Sequence, residues 1–316
     1  MRICLVGYGT IAARHMEVFC QMPAVRPAVL VGRREEPTAQ FAREWGFDRH
    51  TLELSEALAD DSIDAVVITS PNELHDLQAR AALEAGKHVL LEIPMAMNLA
   101  EAEAIATLAG EVDRRLMICH TMRTLPCLEE VRRRVATGAL TLRHIVGFNG
   151  IMRQTNTSLG GRERSWTDSI LWHHAAHLVD LAMWVCGTSG PWQQLAAIGG
   201  PVHRTQGLMD LQLSFKLPGD VLVNHSLSYN FATFRSCVLF IGEEETLEYD
   251  VGTLYDADRN VIVPEQAISD LRAQNREFVD AVTENREPTI PAEAILPTMR
   301  LLQEANDRLQ ATDSRR

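Results

Sequence analysis

The chain opens with a short apolar strand, residues 3–6, that runs straight into a glycine-rich turn and then into a helical segment. The turn begins at residue 7 and reads GYGTIA, a Gly-x-Gly-x-x-Ala pattern. Its first glycine allows the tight turn, the second lets the backbone approach a pyrophosphate, and the alanine keeps helix and strand close. The amides of the first helical turn point at the anion. The pattern predicts a dinucleotide site at Gly7, Gly9, Thr10 and Ile11.

The residues after the second apolar strand predict the choice of cofactor. An acidic residue at this point hydrogen-bonds the adenosine ribose of NAD. This chain instead has Gly32, Arg33 and Arg34, and its first carboxylate follows at Glu35. Guanidinium groups bind phosphate through paired, charge-assisted hydrogen bonds, so we expect Arg33 and Arg34 to bind the 2'-phosphate of NADP, and NADP rather than NAD to be the cofactor. The alternative is that both are ordinary surface arginines, since all but two of the 30 basic residues are arginine.

Composition limits the partners and the compartment. The length of 316 residues, with 46% hydrophobic residues, fits two globular domains better than one. A net charge of -12 argues against nucleic-acid and anionic-membrane partners, which need a basic face, and leaves a small anionic substrate in a local basic pocket. No apolar run approaches the length of a bilayer span, so we expect a cytoplasmic protein without a membrane partner. The six cysteines form no CxxC pair, which indicates reduced packing residues.

The order of apolar segments predicts two different layers. Through residue 120, short apolar runs alternate with amphipathic segments, as in a doubly wound parallel sheet. After Pro126 the alternation of polar and apolar residues favours a mostly antiparallel open sheet. We therefore expect an α/β protein with an N-terminal Rossmann domain over residues 1–121 and a C-terminal α+β domain over residues 122–316. The second domain is expected to bind substrate and, through an exposed sheet face, to form a homodimer or homotetramer.

Two further motifs carry a resemblance to a known family. One runs Thr-Ser-Pro-Asn-x-x-His from residue 69, and the other runs Ala-Gly-Lys-His-Val from residue 85 to a Glu-x-Pro at residues 92–94. With them the whole chain resembles the glucose-fructose oxidoreductase, inositol dehydrogenase and MocA family (Gfo/Idh/MocA). The resemblance implies a cofactor groove lined by Ser70, Asn72, His75, Glu92 and Pro94.

The chain departs from that family at one position. The family has a Glu-Lys-Pro turn, usually with a cis peptide before the proline, and its lysine is catalytic. Here the turn has Ile93 in place of the lysine, and the two lysines of the chain, Lys87 and Lys216, are not obvious substitutes. The base must come from elsewhere, or the protein binds nucleotide without catalysis.

A histidine-rich run, WHHAAHLVD from residue 172, aligns with the Asp-x-Gly-x-His-x-x-Asp motif of many family members. His177 and Asp180 match that motif, and His173 stands where the first aspartate would be. On an α-helix these three side chains share one side. Imidazole suits general-base work because its unperturbed pKa is about 6.5. We expect His177 to accept the proton, with His173 as helper or alternate; satisfied histidines on a polar helix face are the alternative.

Zinc is a rival interpretation of the same histidines. His173 and His177 have the i, i+4 spacing that grips zinc, and Asp180 would complete a ligand set. Hydride transfer needs no metal, and the nucleotide turn already accounts for the fold, so we expect no metal in this site.

The loop before the histidines indicates the substrate. Its segments Arg-Gln-Thr-Asn from residue 153 and GRERSWTD from residue 161 resemble a subgroup of the family that oxidises carboxylated semialdehydes from aromatic ring cleavage. The planar guanidinium group of arginine binds a carboxylate through two parallel hydrogen bonds. The resemblance implies a substrate site formed by Arg123, Arg153, Arg164, Trp166 and Asp180, with Arg162 as a looser candidate. For each arginine a solvated surface role stays open.

The reaction implied is the NADP-dependent oxidation of a cyclic hemiacetal. The open-chain semialdehyde closes to the hemiacetal, whose ring carbon gives up a hydride while its hydroxyl loses a proton, and a lactone such as 2-pyrone-4,6-dicarboxylate results. Nearby guanidiniums would favour the hydroxyl anion and so make the missing lysine dispensable. A sugar or cyclitol dehydrogenase, for which the loop arginines would be surface residues, and a non-catalytic NADP sensor are the alternatives.

Overall fold

The structure is a computed structural model of the whole chain that describes residues 1–155, 167–203, 207–266 and 270–313. Its residues fall into two compact units, Met1–His120 with Ser269–Leu296 and Thr121–Ile268 with Pro297–Arg316. The first division lies next to the boundary expected after residue 121. The second was not expected: the segment after residue 268 returns to the first unit, where Asn275 and Phe278 are fully buried.

Strands and helices alternate through the first unit, whereas strands dominate the middle of the second. The strands are β1 Arg2–Val6, β2 Arg26–Val31, β3 Arg49–Thr51, β4 Ala65–Ile68, β5 His88–Leu91, β6 Leu116–Ile118, β7 Leu142–Met152, β8 Gln193–Gly199, β9 Val202–His203, β10 Gly207–Leu208, β11 Asp210–Leu217, β12 Val221–Ser228, β13 Asn230–Gly242, β14 Thr246–Asp250, β15 Thr253–Tyr255 and β16 Val261–Val263. The α-helices are α1 Thr10–Phe19, α2 Glu35–Trp45, α3 Leu54–Leu58, α4 His75–Glu84, α5 Leu99–Glu111, α6 Pro126–Ala136, α7 Ala176–Val185, α8 Arg272–Thr283 and α9 Leu296–Asp313. A π-helix, Ile170–Ala175, precedes α7.

The sheet of the first unit is parallel, in the order β3-β2-β1-β4-β5-β6. Its middle strands consist of apolar residues that are buried on both faces, which requires helices on both sides of the sheet. The strand order reverses between β1 and β4, and in such sheets ligands bind beyond the carboxyl ends of the strands at this point. Gly7 and Thr69, the residues that follow these two strands, therefore mark the place where a nucleotide is expected.

The second unit is built on a sheet in the order β16-β15-β14-β13-β7-β12-β11-β8. Neighbouring strands are antiparallel except for β7 and β12, which run parallel. Side chains along β12 alternate between buried and more exposed, so one face of the sheet is covered and the other is open. A Rossmann sheet with a second, mostly antiparallel open sheet is thereby confirmed. Among the described residues, no helix combines the length and apolar character that crossing a bilayer requires.

Candidate active site

The glycine-rich turn has the backbone that a phosphate cradle needs. Gly7 has φ +110°, and a Cβ there would lie 2.7 Å from Thr69 Oγ1 and 2.8 Å from the Thr69 carbonyl oxygen. Gly9 caps the N-terminus of α1, and no heavy atom of the described residues lies within 4 Å of the position its Cβ would take. Thr10 and Ile11, the first residues of α1, are exposed. The N-terminus of α1 is thus open to an anion, and the turn fits a dinucleotide pyrophosphate.

The end of β2 is followed by two arginines and then by two carboxylates, Glu35 and Glu36. Arg33 and Arg34 are both exposed, and Arg34 Nε donates a 3.4 Å hydrogen bond to the hydroxyl of Tyr8, inside the glycine turn. Glu35, the first carboxylate after the strand, is bonded by His50 Nε2 at 2.8 Å. Two exposed guanidinium groups at this point match the charge of a phosphate.

His75 connects two loops of the predicted cofactor groove. Its ring is 1% exposed, with Nδ1 2.7 Å from the Pro94 carbonyl oxygen and Nε2 3.0 Å from the Ser70 carbonyl oxygen. The peptide between Ile93 and Pro94 is cis, as the resemblance implied. Because both ring nitrogens point at backbone oxygens, His75 holds the Ser70 and Pro94 segments together from inside.

Asn72 is the residue of this segment with hydrogen-bonding capacity to spare. It is 3% exposed, and its Nδ2 has no hydrogen-bond partner among the described residues. A buried amide donor without a partner is costly, so a ligand acceptor at this point would stabilise it. Ser70 is different, because its hydroxyl already donates to Gln78 Oε1 at 2.5 Å. Asn72 thus fits a bound nucleotide directly.

Glu92 lies at the end of β5 in a buried group that the sequence did not predict. Its Oε1 is 2.8 Å from His15 Nε2, and its Oε2 accepts a 3.2 Å hydrogen bond from the backbone of Ile93. His15 Nδ1 is in turn 3.0 Å from Asn275 Oδ1. The signal for His15 was present in the sequence: it is a polar residue on the otherwise apolar buried face of α1.

Neither lysine offers a replacement for the missing catalytic lysine. Lys87 is buried and its Nζ donates to the Asp60 carbonyl oxygen at 2.8 Å. Lys216 forms an ion pair with Asp220 at a turn of the second unit. Ile93, which stands at the lysine position of the family, is 3% exposed. The proton acceptor must therefore be sought among other residues.

The predicted histidines gather at the junction of the π-helix and α7. His173 and His177 are partly exposed, and their ring centroids stand 6.4 Å apart, edge to face. His174 is buried against Tyr229, with its Nδ1 2.7 Å from the tyrosine hydroxyl. Burial, followed by the charge of His173, holds the pKa of His174 well below its usual range. His174 is thus a neutral structural residue, whereas His173 and His177 have access to solvent.

The helix that carries them differs from the regular α-helix that the sequence predicted. Ser169 caps it, and its hydroxyl accepts a 3.2 Å hydrogen bond from the Trp172 amide. Residues Ile170–Ala175 then form a π-helix before α7 begins. The wider turn changes the angular spacing of the side chains, yet His173 and His177 remain ring neighbours. Short π segments of this kind are frequent at functional sites.

Asp168 links one predicted arginine to one predicted histidine. Its carboxylate is 4% exposed, with Oδ2 3.2 Å from Arg153 Nε and Oδ1 3.9 Å from His173 Nδ1. Arg153 is also held through its amide, which donates to the Tyr229 carbonyl oxygen at 2.8 Å. Asp168 was not predicted as a site residue, although it lies within the run that suggested the substrate.

Arg123 and Asp180 form a buried pair with each other. Arg123 Nε donates to Asp180 Oδ2 at 2.8 Å, and Nη2 donates to Oδ1 at 2.6 Å. Thr298 donates a third hydrogen bond to the same carboxylate at 3.2 Å. Both residues were predicted to bind substrate; the structure gives the Arg123 fork an internal carboxylate as partner. The other predicted residues of this set, Arg162, Arg164 and Trp166, lie outside the described residues.

Two family profiles together match most of the chain. The profile of the oxidoreductase family with an NAD-binding Rossmann fold (Gfo/Idh/MocA) matches residues 1–120, and that of the bacterial oxidoreductase C-terminal domain matches residues 126–264. The chain is 32% identical over 315 residues to 4-carboxy-2-hydroxymuconate-6-semialdehyde dehydrogenase of Sphingobium sp., covering 98% of this chain and 99% of that protein. It is 27% identical over 202 residues to levoglucosan dehydrogenase of Pseudarthrobacter phenanthrenivorans, covering 59% of this chain and 51% of that protein.

Solved structures share the fold at lower identity. Levoglucosan dehydrogenase in complex with NADH and levoglucosan superimposes with a TM-score of 0.86, covering 98% of this chain and 97% of that chain, at 16% identity. At this identity the likeness concerns the fold.

Proposed function

Because the chain belongs to the Gfo/Idh/MocA oxidoreductase family, we propose that this dehydrogenase oxidises a carboxylated ring-cleavage semialdehyde, as its cyclic hemiacetal, to a lactone such as 2-pyrone-4,6-dicarboxylate. The full-length similarity to a semialdehyde dehydrogenase supports this substrate class. The connected set Arg153, Asp168 and His173, with His177 beside it, is the observation that carries the proposal. In this set, a guanidinium group can bind an anionic substrate, and the imidazoles can accept a proton.

His177 is proposed to accept the hemiacetal hydroxyl proton. Its partial exposure lets substrate reach it, and its neighbour His173 lies 3.9 Å from the Asp168 carboxylate, which also pairs with Arg153. The step breaks the O–H bond, the proton passes to the imidazole, and the lactone carbonyl forms as the ring carbon loses its hydride. His173 is the helper or the alternate acceptor. When His173 takes the proton, the nearby Asp168 carboxylate stabilises its imidazolium.

Substrate binding is assigned to Arg153 and, from the sequence resemblance, to Arg164 and Trp166, which lie outside the described residues. Arg153 supports this role because its side chain is held by Asp168 and its backbone by Tyr229, which presets the guanidinium. Arg123 and Asp180 contribute differently: their buried pair fixes α7 one turn beyond His177. Pre-set arginines would also favour the hydroxyl anion and reduce the need for a lysine.

NADP is the proposed cofactor, and when bound it supplies the hydride acceptor. Arg33 and Arg34 would hold its 2'-phosphate, while Asn72 would donate from its buried amide. The bond between His50 and Glu35 supports NADP over NAD, because the first carboxylate after β2 is already bonded. Gly7, Gly9, Thr10 and Ile11 would receive the pyrophosphate at the N-terminus of α1.

A substrate panel tests the proposal. Reduced-nicotinamide absorbance is followed while the enzyme and NADP are offered carboxylated ring-cleavage semialdehydes, sugars and cyclitols in turn. We expect turnover with the semialdehydes. Turnover restricted to polyols would support the second candidate, a sugar dehydrogenase, which the similarity to levoglucosan dehydrogenase favours. NADP binding without turnover of any of them would overturn both.

We also propose that the open face of the second sheet joins copies of this chain as a homodimer or homotetramer. Leu222 of β12 and Leu239 of β13 flank β7 on this face, at 47% and 36% exposure, and Ile198 of β8 is 62% exposed. A row of exposed apolar side chains on a sheet is typical of an interface. Sedimentation of L222D/L239D should give a monomer where the unaltered chain gives an oligomer.

A further inference from the structure

Three metal-binding side chains of different kinds meet inside the first unit. They are His15 on α1, Glu92 at the end of β5 and Cys119 just after β6. One ligand atom from each, the histidine Nε2, a glutamate oxygen and the cysteine Sγ, lie within 4.8 Å of one another. His15 is fully buried, Cys119 is 1% exposed and the Glu92 side chain is 13% exposed. Within the described part of the chain, this is the group that has the spacing of a metal site.

The hydrogen bonds around His15 fix which nitrogen faces Glu92. Nδ1 lies 3.0 Å from Asn275 Oδ1, on the side of the ring away from Glu92. Nε2 lies 2.8 Å from the Glu92 carboxylate. Two electron-rich atoms at this distance need a cation between them, which is either a proton or a metal ion.

The second shell has the form that metal sites use. A metal-ligating histidine usually places its other ring nitrogen against a carbonyl or carboxylate oxygen, and His15 Nδ1 lies 3.0 Å from the side-chain oxygen of Asn275. The ligating carboxylate is also held, since Glu92 Oε2 accepts from the Ile93 amide at 3.2 Å. The Cys119 thiol hydrogen-bonds to the same carboxylate. Nitrogen, oxygen and sulfur donors are therefore pre-oriented toward one point.

We propose that this group binds a soft divalent cation of the zinc class through His15 Nε2, Glu92 Oε1 and Cys119 Sγ, with water in a fourth position. Binding releases to solvent the thiol proton and the proton between His15 and Glu92. Neutral imidazole, carboxylate and thiolate then sum with the ion to zero charge, as a buried site requires. Zinc ligands stand farther apart than a hydrogen bond allows, so the pair at 2.8 Å opens by under about 1 Å on binding.

The site lies wholly within the first unit and is separate from the histidines of α7. Since the family resemblance places Glu92 in the cofactor groove, the ion should also weaken NADP binding. That consequence rests on the proposed function; the metal site itself does not.

Cobalt titration of the untagged, chelator-treated full chain under a phosphine reductant tests the proposal. One equivalent of Co²⁺ should produce a thiolate-to-cobalt charge-transfer band, and Zn²⁺ should abolish it by competition. C119S should lose the band and at least about tenfold in affinity. C127S is the matched control, since Cys127 is also buried but lies on α6; it should keep the band.

Two outcomes would overturn the site. One is the absence of stoichiometric cobalt binding to the unaltered chain. The other is a cobalt spectrum that does not depend on Cys119. A spectrum without a thiolate band would place the ion at other ligands, for example His173 and His177, and a thiolate band that C119S retains would place it at another cysteine. Circular dichroism shows whether each variant is folded. In thermal unfolding, Zn²⁺ should raise the Tm of the unaltered chain and of C127S, and it should leave the Tm of C119S unchanged.

Discussion

Arg123 donates two parallel hydrogen bonds, of 2.8 and 2.6 Å, to the Asp180 carboxylate. The two side chains are 9% and 1% exposed, respectively. Arg123 comes from the short helix that opens the second unit, and Asp180 lies one turn after His177 on α7. The pair therefore fixes the helix that bears the proposed base. A bidentate pair of this kind holds both the position and the rotation of the helix.

Breaking this pair should unfold the protein more readily. D180L leaves a buried guanidinium without its carboxylate and should lower the free energy of unfolding by about 3–5 kcal/mol. The double variant R123M/D180L removes both charges and should lose less than the sum of the losses in R123M and D180L. Urea unfolding of the unaltered chain and these three variants measures this difference. Strictly additive losses would mean that the two side chains contribute independently.

Stability should fall in acid because of a buried histidine in the second sheet. Burial lowers the pKa of His225 from 6.5 to about 4. Between these values the unfolded chain binds a proton that the folded chain does not, so the folded state loses stability as the pH falls from 6.5 towards 4. The full shift is worth about 3 kcal/mol. Between pH 6.5 and 4, the unfolding free energy of H225L should therefore fall by about 3 kcal/mol less than that of the unaltered chain. Plots of unfolding free energy against pH that run parallel for the two proteins would contradict this role of His225.

The two glycines of the nucleotide turn should respond differently to alanine. At Gly9 the added Cβ meets no described atom, so G9A should keep its unfolding free energy within about 1 kcal/mol while NADP binds at least about tenfold more weakly. At Gly7 the φ of +110° and the Thr69 carbonyl oxygen oppose a side chain, so G7A should lose stability itself. Urea unfolding with nucleotide titration separates the two effects. If G7A and G9A changed the unfolding free energy and the NADP affinity to the same extent, the proposed phosphate-binding role of this turn would be contradicted.

Cofactor preference should depend on the arginines after β2. R33A/R34A should weaken NADP binding by about 10- to 100-fold, the value of charge-assisted bonds to a phosphate, and leave NAD binding nearly unchanged. R43A, an exposed arginine near the other end of α2, is the control and should change neither. Fluorescence titration with NAD and with NADP measures the two affinities. A similar loss of affinity for both nucleotides would contradict binding of the 2'-phosphate by these arginines.

How far the sequence predicts this molecule depends on how local each feature is. The parallel sheet of the first unit follows from short patterns and is confirmed, and the glycine-rich turn follows from a short pattern whose role in nucleotide binding stays a prediction. His15 and Asp168 could not be assigned in this way, because their partners Glu92 and Arg153 are distant in sequence and meet them only in the folded chain. The spacing of apolar residues did not predict the π-helix either, because the same spacing fits a regular α-helix equally well.

The proposed base is tested most directly by single-turnover hydride transfer to NADP in H177Q. If His177 accepts the hydroxyl proton, this variant should transfer hydride about 10²- to 10⁴-fold more slowly while its Kd for NADP stays unchanged. The matched control is H174Q, which alters the neutral, buried neighbour and should retain most of the rate. An unaltered rate in H177Q, or a loss of NADP affinity as large as the loss of rate, would contradict the account.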